Sequence, residues 1–203
     1  LSVRDAPPLS MQEYDQIAAW YGRTRSRTIG IAALAELAAS LTPGARVLDL
    51  GCGDGLPLSR FLVQEGFDVV GLDSSAEMVH RFRGHLPGVA VRCESAEDAY
   101  FAEGSFEAVV AWGVLFHLSE SAQESVVHNV AAWLEPGGTL LFTSAEAEGV
   151  QRGTMDGVAF QYLSLGRRRY ADLLERAGLH LETDYRDEGG NHTYVSRKTS
   201  SER

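Results

Sequence analysis

Residues Arg46 to Gly55 read RVLDLGCGDG. A short run of apolar residues carrying one acid, Asp49, turns into three glycines, Gly51, Gly53 and Gly55, spaced two apart. That is the signature of a strand entering a turn whose backbone is approached so closely that a Cβ would obstruct it. Downstream, LPLSRFLVQEG reads as an amphipathic helix closed by Gly66, FDVVGLD as a second strand, SAEMVHRFRGHL as a helix and VAVRCE as a third strand. Strand FEAVVAWG, helix ESAQESVVHNVAAWLEPGG ended by its PGG, strand TLLFTSA and helix GRRRYADLLERAG continue the alternation, and strands LHLETDY and TYVSRK end it. Upstream, LSMQEYDQIAAWYG is predicted helical, with Ser10 as N-cap and Glu13 at capping-box spacing. The Ala-rich SRTIGIAALAELAASL is a second helix that stops before TPG.

Strands alternating with helices predict an α/β, doubly wound sheet with parallel pairing, right-handed crossovers and helices on both faces. Only RDEGGN separates the last two strands. No crossover helix fits there, so the pair is expected as a hairpin, with the final strand antiparallel to its neighbours.

The chain of 203 residues is long enough for one domain with its own core. Lys and Arg number 18 against 28 Asp and Glu, and a net charge of −10 argues against a nucleic-acid partner held by its phosphates. The short basic run GRRR, Gly166 to Arg169, reads as a solvated helix start. Two cysteines, Cys52 and Cys93, form neither a metal-ligand spacing nor a disulfide framework, so no metal is expected. With no apolar signal core in LSVRDAPPLSMQEY and no run long enough to span a bilayer, a cytoplasmic setting without membrane contact is expected.

In an open parallel sheet the ligand sits outside the carboxyl ends of the strands, here at the glycine turn. A dinucleotide fingerprint wants a glycine at the sixth position, which is Leu56, and a P-loop wants a following Lys-Ser or Lys-Thr, which is missing. Asp73 ends the second strand, 22 positions beyond Gly51, where a carboxylate can accept both hydroxyls of a ribose. An Asp there can instead cap the following helix, unless Ser74 or Ser75 takes that role.

The ordered set VLDLGCGDG, VVGLDSSAEMV, SAEDAYFAEGSFEAVVAWGVLFHL and LEPGGTLLFT, over about residues 44 to 144, resembles the class I S-adenosylmethionine-dependent methyltransferases. The resemblance implies a seven-stranded, Rossmann-like sheet with an antiparallel last strand. It implies S-adenosylmethionine as cofactor and S-adenosylhomocysteine as its product. It places the cofactor's methionine part over Gly51, Cys52, Gly53 and the backbone near Asp49, and the ribose on Asp73 with Ser74 and Met78 beside it. The adenine falls at Ser95 and Ala96; many members carry an Asp where this chain has Ser95, so Glu94 or Glu97 could be the acceptor instead. Ala111 and Trp112 line the cofactor and face the substrate.

A methyl on a sulfonium is displaced in line, so alignment and water exclusion carry much of the rate, and a base is needed only for an acceptor with an unhelpfully high pKa. His117 in VLFHL and His192 in EGGNHTYV are the candidates; His80, His85, His128 and His180 read as surface residues. Tyr14 and Tyr21 in the N-terminal helix, Phe116, and Met155 and Phe160 in EAEGVQRGTMDGVAFQYLSLG are the expected substrate contacts, around a small, partly aromatic pocket with Trp112. The expected layout is a single domain, 1–203: an N-terminal helical lid at 1–43, the cofactor-binding core at 44–144, a substrate-lid insertion at 145–167, and a C-terminal helix and strand hairpin at 168–203. The expected function is methyl transfer to oxygen or nitrogen of a small-molecule acceptor. Alternatives are a non-catalytic cofactor-binding module and a nicotinamide-dependent oxidoreductase.

Overall fold

The computed structural model describes residues 12–200, so the Ser10 cap lies outside the described residues. The elements are α1 (Gln12–Thr24), α2 (Ile31–Ala38), β1 (Arg46–Leu50), α3 (Leu58–Gln64), β2 (Asp68–Asp73), α4 (Ala76–His85), β3 (Ala90–Cys93) and β4 (Phe106–Ala111). After a 3-10 turn (Leu115–His117) come α5 (Glu120–Trp133), β5 (Leu134–Ser144), β6 (Gly149–Met155), β7 (Val158–Ser164), α6 (Gly166–Arg176), β8 (Leu179–Arg186) and β9 (His192–Lys198).

Seven strands form one sheet in the order β3–β2–β1–β4–β5–β9–β8. β1 to β5 pair in parallel, and β9 runs antiparallel to both β5 and β8. The doubly wound, mostly parallel sheet with an antiparallel last strand is therefore what the chain forms. Its order reverses between β1 and β4, which puts the topological switch point beside the glycine turn.

Side chains of a strand alternate between faces, and both faces here are covered. Leu48, Leu50, Val109, Leu140 and Phe142 pack with Trp133 of α5 and Tyr170 of α6. Val47, Val110 and Leu141 face the other way, onto Leu34 and Leu37 of α2 and Leu58 and Leu62 of α3. Each fully buried Leu or Val is worth about 1.5–3 kcal/mol relative to exposure, so a one-residue slip of β1 would forfeit several such contacts. Register at the switch point is held by the core.

Three element boundaries differ from expectation. Ser26 Oγ accepts from the amides of Thr28 and Ile29, which closes a turn ahead of α2 and delays that helix to Ile31. The helix expected to run to PGG stops at Trp133, and β5 begins at Leu134. The insertion 145–167 contains an antiparallel hairpin, β6 paired with β7, outside the main sheet. Asp156 and Gly157 make its turn with φ of 48° and 79°, the backbone of a type I′ connection. Among the described residues no helix is long and apolar enough to cross a membrane.

Candidate active site

The ends of β1, β2 and β4 meet at the glycine turn. Gly51 has φ 72° and a Cβ there would come within 2.0 Å of Val114 Cγ2. At Gly55 a Cβ would meet Leu86 Cδ1 at 2.8 Å. Much of the close approach implied by the sequence is thus made by the protein itself. Gly53 (φ 55°) differs: the nearest atom to its missing Cβ is Arg25 Nη1, at 3.9 Å. Gly53 is the glycine that keeps room for a ligand.

Asp73 is buried and clamps this turn to α4. Its Oδ2 accepts from the Gly53 amide at 2.8 Å and its Oδ1 from the Ser75 amide at 2.9 Å. Burial raises its pKa, opposed by those two amide bonds. Each carboxylate oxygen retains a lone pair for a further donor, as a ribose clamp requires. The helix cap is Ser75, whose Oγ accepts from the Met78 amide at 3.1 Å. Ser74 Oγ is buried without a hydrogen-bond partner, an unmet polar atom beside the carboxylate that a ribose hydroxyl would satisfy. Open space at Gly53, spare acceptor sites on Asp73 and the orphaned Ser74 hydroxyl all fit an adenosyl cofactor.

Asp49 is fully buried; Ser59 Oγ donates to its Oδ2 at 2.5 Å. Burial pushes its pKa to about 6, against the lowering effects of the Ser59 bond and the Arg25 charge. Cys52 turns its sulfur into a small core with Phe82 and Leu86, so only its backbone is left to face a ligand. Its thiol pKa is pushed well up by burial, with Asp49 and Asp73 adding to the effect. Met78 is fully buried on α4. At the expected adenine end, Ser95 Oγ donates to Asp98 Oδ2 at 2.7 Å and accepts from the Asp98 amide at 3.2 Å, while Glu94 is paired with Arg92. Ala96 is half-buried beside this turn.

Ala111 belongs to the sheet core, and Trp112 packs against α2 while presenting an edge to a cavity of about 1140 Å³. The cavity is larger than the small pocket expected. Tyr14, Tyr21, Phe116 and Met155 line it, as do His117 and His192. Phe160 stands behind that lining, its ring 5.2 Å from Tyr14 and 6.0 Å from His117. Tyr162 of β7 joins the wall, 5.2 Å from His117.

The two candidate histidines have different surroundings. His117 is 3% exposed, and its Nε2 shares a 3.0 Å hydrogen bond with the Tyr14 hydroxyl. Burial lowers its pKa to about 4, so the ring is neutral at physiological pH. Burial also raises the Tyr14 pKa well above its usual value, with Tyr21 second. His192 Nε2 donates to Asp184 Oδ1 at 2.9 Å, and its Nδ1 is buried without a partner. His80, His128 and His180 are exposed, whereas His85 is half-buried and hydrogen-bonds the Asp54 carbonyl at 2.8 Å. In GRRR, Arg167 binds Asp184 and Arg169 binds Glu120 and Glu148, so two of its three arginines are paired.

Three residues at the site carried no local signal. Arg25, just past α1, lies over the Tyr21 ring at 5.3 Å and lowers the pKa of both Asp49 and Asp73. Asp15 accepts from Ser75 Oγ at 2.5 Å and from the Glu77 amide at 3.1 Å, docking α1 on the start of α4. Asp184 sits in LHLETDY, which read only as one of the two closing strands. The Asp156-Gly157 turn, by contrast, was a legible hairpin signal.

Residues 47–138 match the family described as methyltransferase domain. A ubiquinone biosynthesis O-methyltransferase from Xanthomonas campestris is 38% identical over 107 residues, covering 50% of this chain and 44% of that one. Its counterpart from Xylella fastidiosa is 33% identical over 157 residues, covering 68% and 62%. The chain therefore spans 44% to 62% of these relatives' length, less than two thirds of either. The Burkholderia thailandensis 1,6-didemethyltoxoflavin-N1-methyltransferase, solved with 1,6-didemethyltoxoflavin and S-adenosylhomocysteine bound, superposes with a TM-score of 0.74 at 20% identity, covering 97% of this chain and 93% of that one. With the domain match over residues 47–138, the reversed strand order and the clamped glycine turn in place, the chain is similar in sequence and fold to the class I S-adenosylmethionine-dependent methyltransferases.

Proposed function

We propose that this protein transfers the methyl group of S-adenosylmethionine to an oxygen or nitrogen of a small-molecule acceptor. The observation that carries the reading is the adjacency of two sites. A turn held open at Gly53 and clamped by Asp73 adjoins a large cavity with aromatic walls through Arg25, whose Nη1 is the nearest atom to the Gly53 Cβ position and which also lines that cavity. Support for a small acceptor comes from relatives named for small-molecule methylation and from the net charge of −10, which disfavours nucleic acid.

The cofactor would bring an electrophilic methyl group; the chain's residues bind, orient and exclude water. Gly51, Gly53 and the backbone of Cys52 would border its methionine part, with Arg25 as a cation for its carboxylate. Asp73 and Ser74 would take the ribose hydroxyls, with Met78 behind, and the turn at Ser95 and Ala96 would flank the adenine. Tyr14, Tyr21, Phe116 and Met155 would hold the acceptor, with Phe160 as backing. Such alignment is worth up to ~7–11 kcal/mol in favourable cases. The described part of the N-terminal segment, 12–43, and the insertion 145–167 act as lids in this reading: α1 is pinned to α4 by Asp15, and Tyr14 reaches His117 beside Phe160 of β7. His117, neutral and bonded to Tyr14, is a weak base and serves as part of the wall.

The test is calorimetry with S-adenosylmethionine and S-adenosylhomocysteine, followed by incubation of methyl-labelled cofactor with a metabolite extract. Binding of both and a labelled low-mass product are expected. Tight binding of a nicotinamide nucleotide with no heat from either adenosyl compound would overturn the reading. Cofactor binding without any labelled product would reduce the protein to a non-catalytic binding module.

A further inference from the structure

We propose that His192 is the general base for methyl transfer, with Asp184 as its positioning residue, and that the acceptor is a hydroxyl on a flat aromatic ring. This rests on the methyl-transfer reading above.

His192 opens β9, opposite Ser144 of β5 and Arg186 of β8. A carboxylate in its usual ionised form only accepts hydrogen bonds, so the 2.9 Å contact from Nε2 to Asp184 Oδ1 places the ring proton on Nε2 and leaves the lone pair on Nδ1. That nitrogen is buried, and no donor reaches it. Its nearest charged neighbour is Glu146 Oε2, at 3.9 Å, an acceptor itself and too far for a hydrogen bond. A buried acceptor without a donor needs an explanation, and a hydroxyl entering the cavity supplies the missing donor.

The groups around the ring suit a base that must become charged. Asp184 and Arg186 face it from β8, Glu146 from the segment after β5, and the Tyr194 ring of β9 lies 4.8 Å away. Arg167 of α6 and then His192 hold the Asp184 pKa low, so Asp184 stays ionised and stabilises an imidazolium. Glu146, 57% exposed and tied to Arg186, stands 3.9 Å from Nδ1 and has room to swing away. His117, the other candidate, has its Nε2 already bonded to Tyr14.

The chemistry follows from these positions. The acceptor's O–H proton passes to Nδ1 while an oxygen lone pair forms the bond to the methyl carbon. The C–S electron pair leaves with the sulfur, which changes from sulfonium to neutral thioether. A neutral amine attacks without first losing a proton, so a built base marks an acceptor whose proton must leave. Tyr21, Trp112, Phe116 and Tyr162 wall the same cavity with rings, which selects a flat acceptor.

The test has two parts. Nitrogen NMR of the free protein should show His192 protonated on Nε2, and Asp184→Asn should abolish that preference. Phenols are then methylated across a range of acidities, with S-adenosylhomocysteine affinity as the control for the fold. His192→Gln should slow a phenol of pKa ~10 by about 100-fold or more, spare phenols already ionised at neutral pH, and leave cofactor affinity unchanged. An Nδ1–H tautomer in the wild type, an equal loss across all phenols, or methylation of amines but of no phenol would overturn the proposal. If S-adenosylhomocysteine did not bind the wild type, the methyl-transfer reading itself would fail, and this one with it.

Discussion

Gly51 and Gly53, two residues apart in one turn, should respond to the same substitution in opposite ways. Both have positive φ, so alanine at either costs about 1–2 kcal/mol for the left-handed backbone. At Gly51 the new methyl would also lie 2.0 Å from Val114 Cγ2, and Val114 is 4% exposed and has little room to retreat. Overpacking of that kind adds about 1–3 kcal/mol, giving a total of about 2–5 kcal/mol. In a chain of 203 residues each kcal/mol moves Tm by about 2–4 °C, so Gly51→Ala should lower it by roughly 10 °C and Gly53→Ala by roughly 4 °C. Binding should rank the other way. The Gly53 methyl projects into the space left for the cofactor, and a loss of about 10-fold in S-adenosylhomocysteine affinity, about 1.4 kcal/mol, is the least expected. Urea unfolding and calorimetry below the lower Tm measure both effects on the same samples. Equal destabilisation of the two variants, or wild-type affinity in Gly53→Ala, would refute the division of labour.

Two other outcomes follow from the buried groups and the α1 contact. His117 has a folded pKa of about 4, below its ordinary 6.5, so the unfolded chain binds its proton first and stability is lost as pH falls through that window. Asp49, raised from 3.8 to about 6, works in the opposite sense and adds stability over an overlapping window as pH falls. Between about pH 7 and about pH 5 the two contributions are about 2 kcal/mol lost and about 1 kcal/mol gained, so the gain offsets only part of the loss. Asp49→Asn should expose the loss and His117→Asn the gain in urea midpoints; the same slope in both variants would contradict the assignments. Asp15→Ala removes the acceptor for Ser75 Oγ and the Glu77 amide, and should cost about 1 kcal/mol, as a lost helix cap does. Hydrogen exchange should speed up in α1 but not in β1 or β4, with weaker cofactor binding; unchanged α1 protection would show that Asp15 does not pin the helix.

The fold was largely legible because its evidence is local. Alternating strand and helix periods, a connection too short for a crossover before the last strand, and the distance from Gly51 to Asp73 are all properties of neighbouring residues. They place a doubly wound sheet and the end at which it binds. The hairpin at 149–164 was legible in principle too, since Asp156-Gly157 is a two-residue turn signal, but β6 and β7 form a separate ladder rather than part of the main sheet. The helix boundary after Trp133 was less legible: PGG marks a stop without saying that Leu134 already pairs with Phe106 of β4.

What the sequence determined by itself, then, is the sheet, its switch point and the acid on β2, because periodicity and loop length act over a few residues. Only the tertiary structure decided which neighbours those residues meet. Tyr14 and His117 bond across 103 positions of chain, and Asp15 reaches Ser75 across 60. Gly51 is filled by Val114 while Gly53 stays open, and Asp184 is brought to His192 by the β8–β9 pairing. Helix docking and strand register set those contacts. Both are minimised over the whole packed core, and no short stretch of sequence records the result.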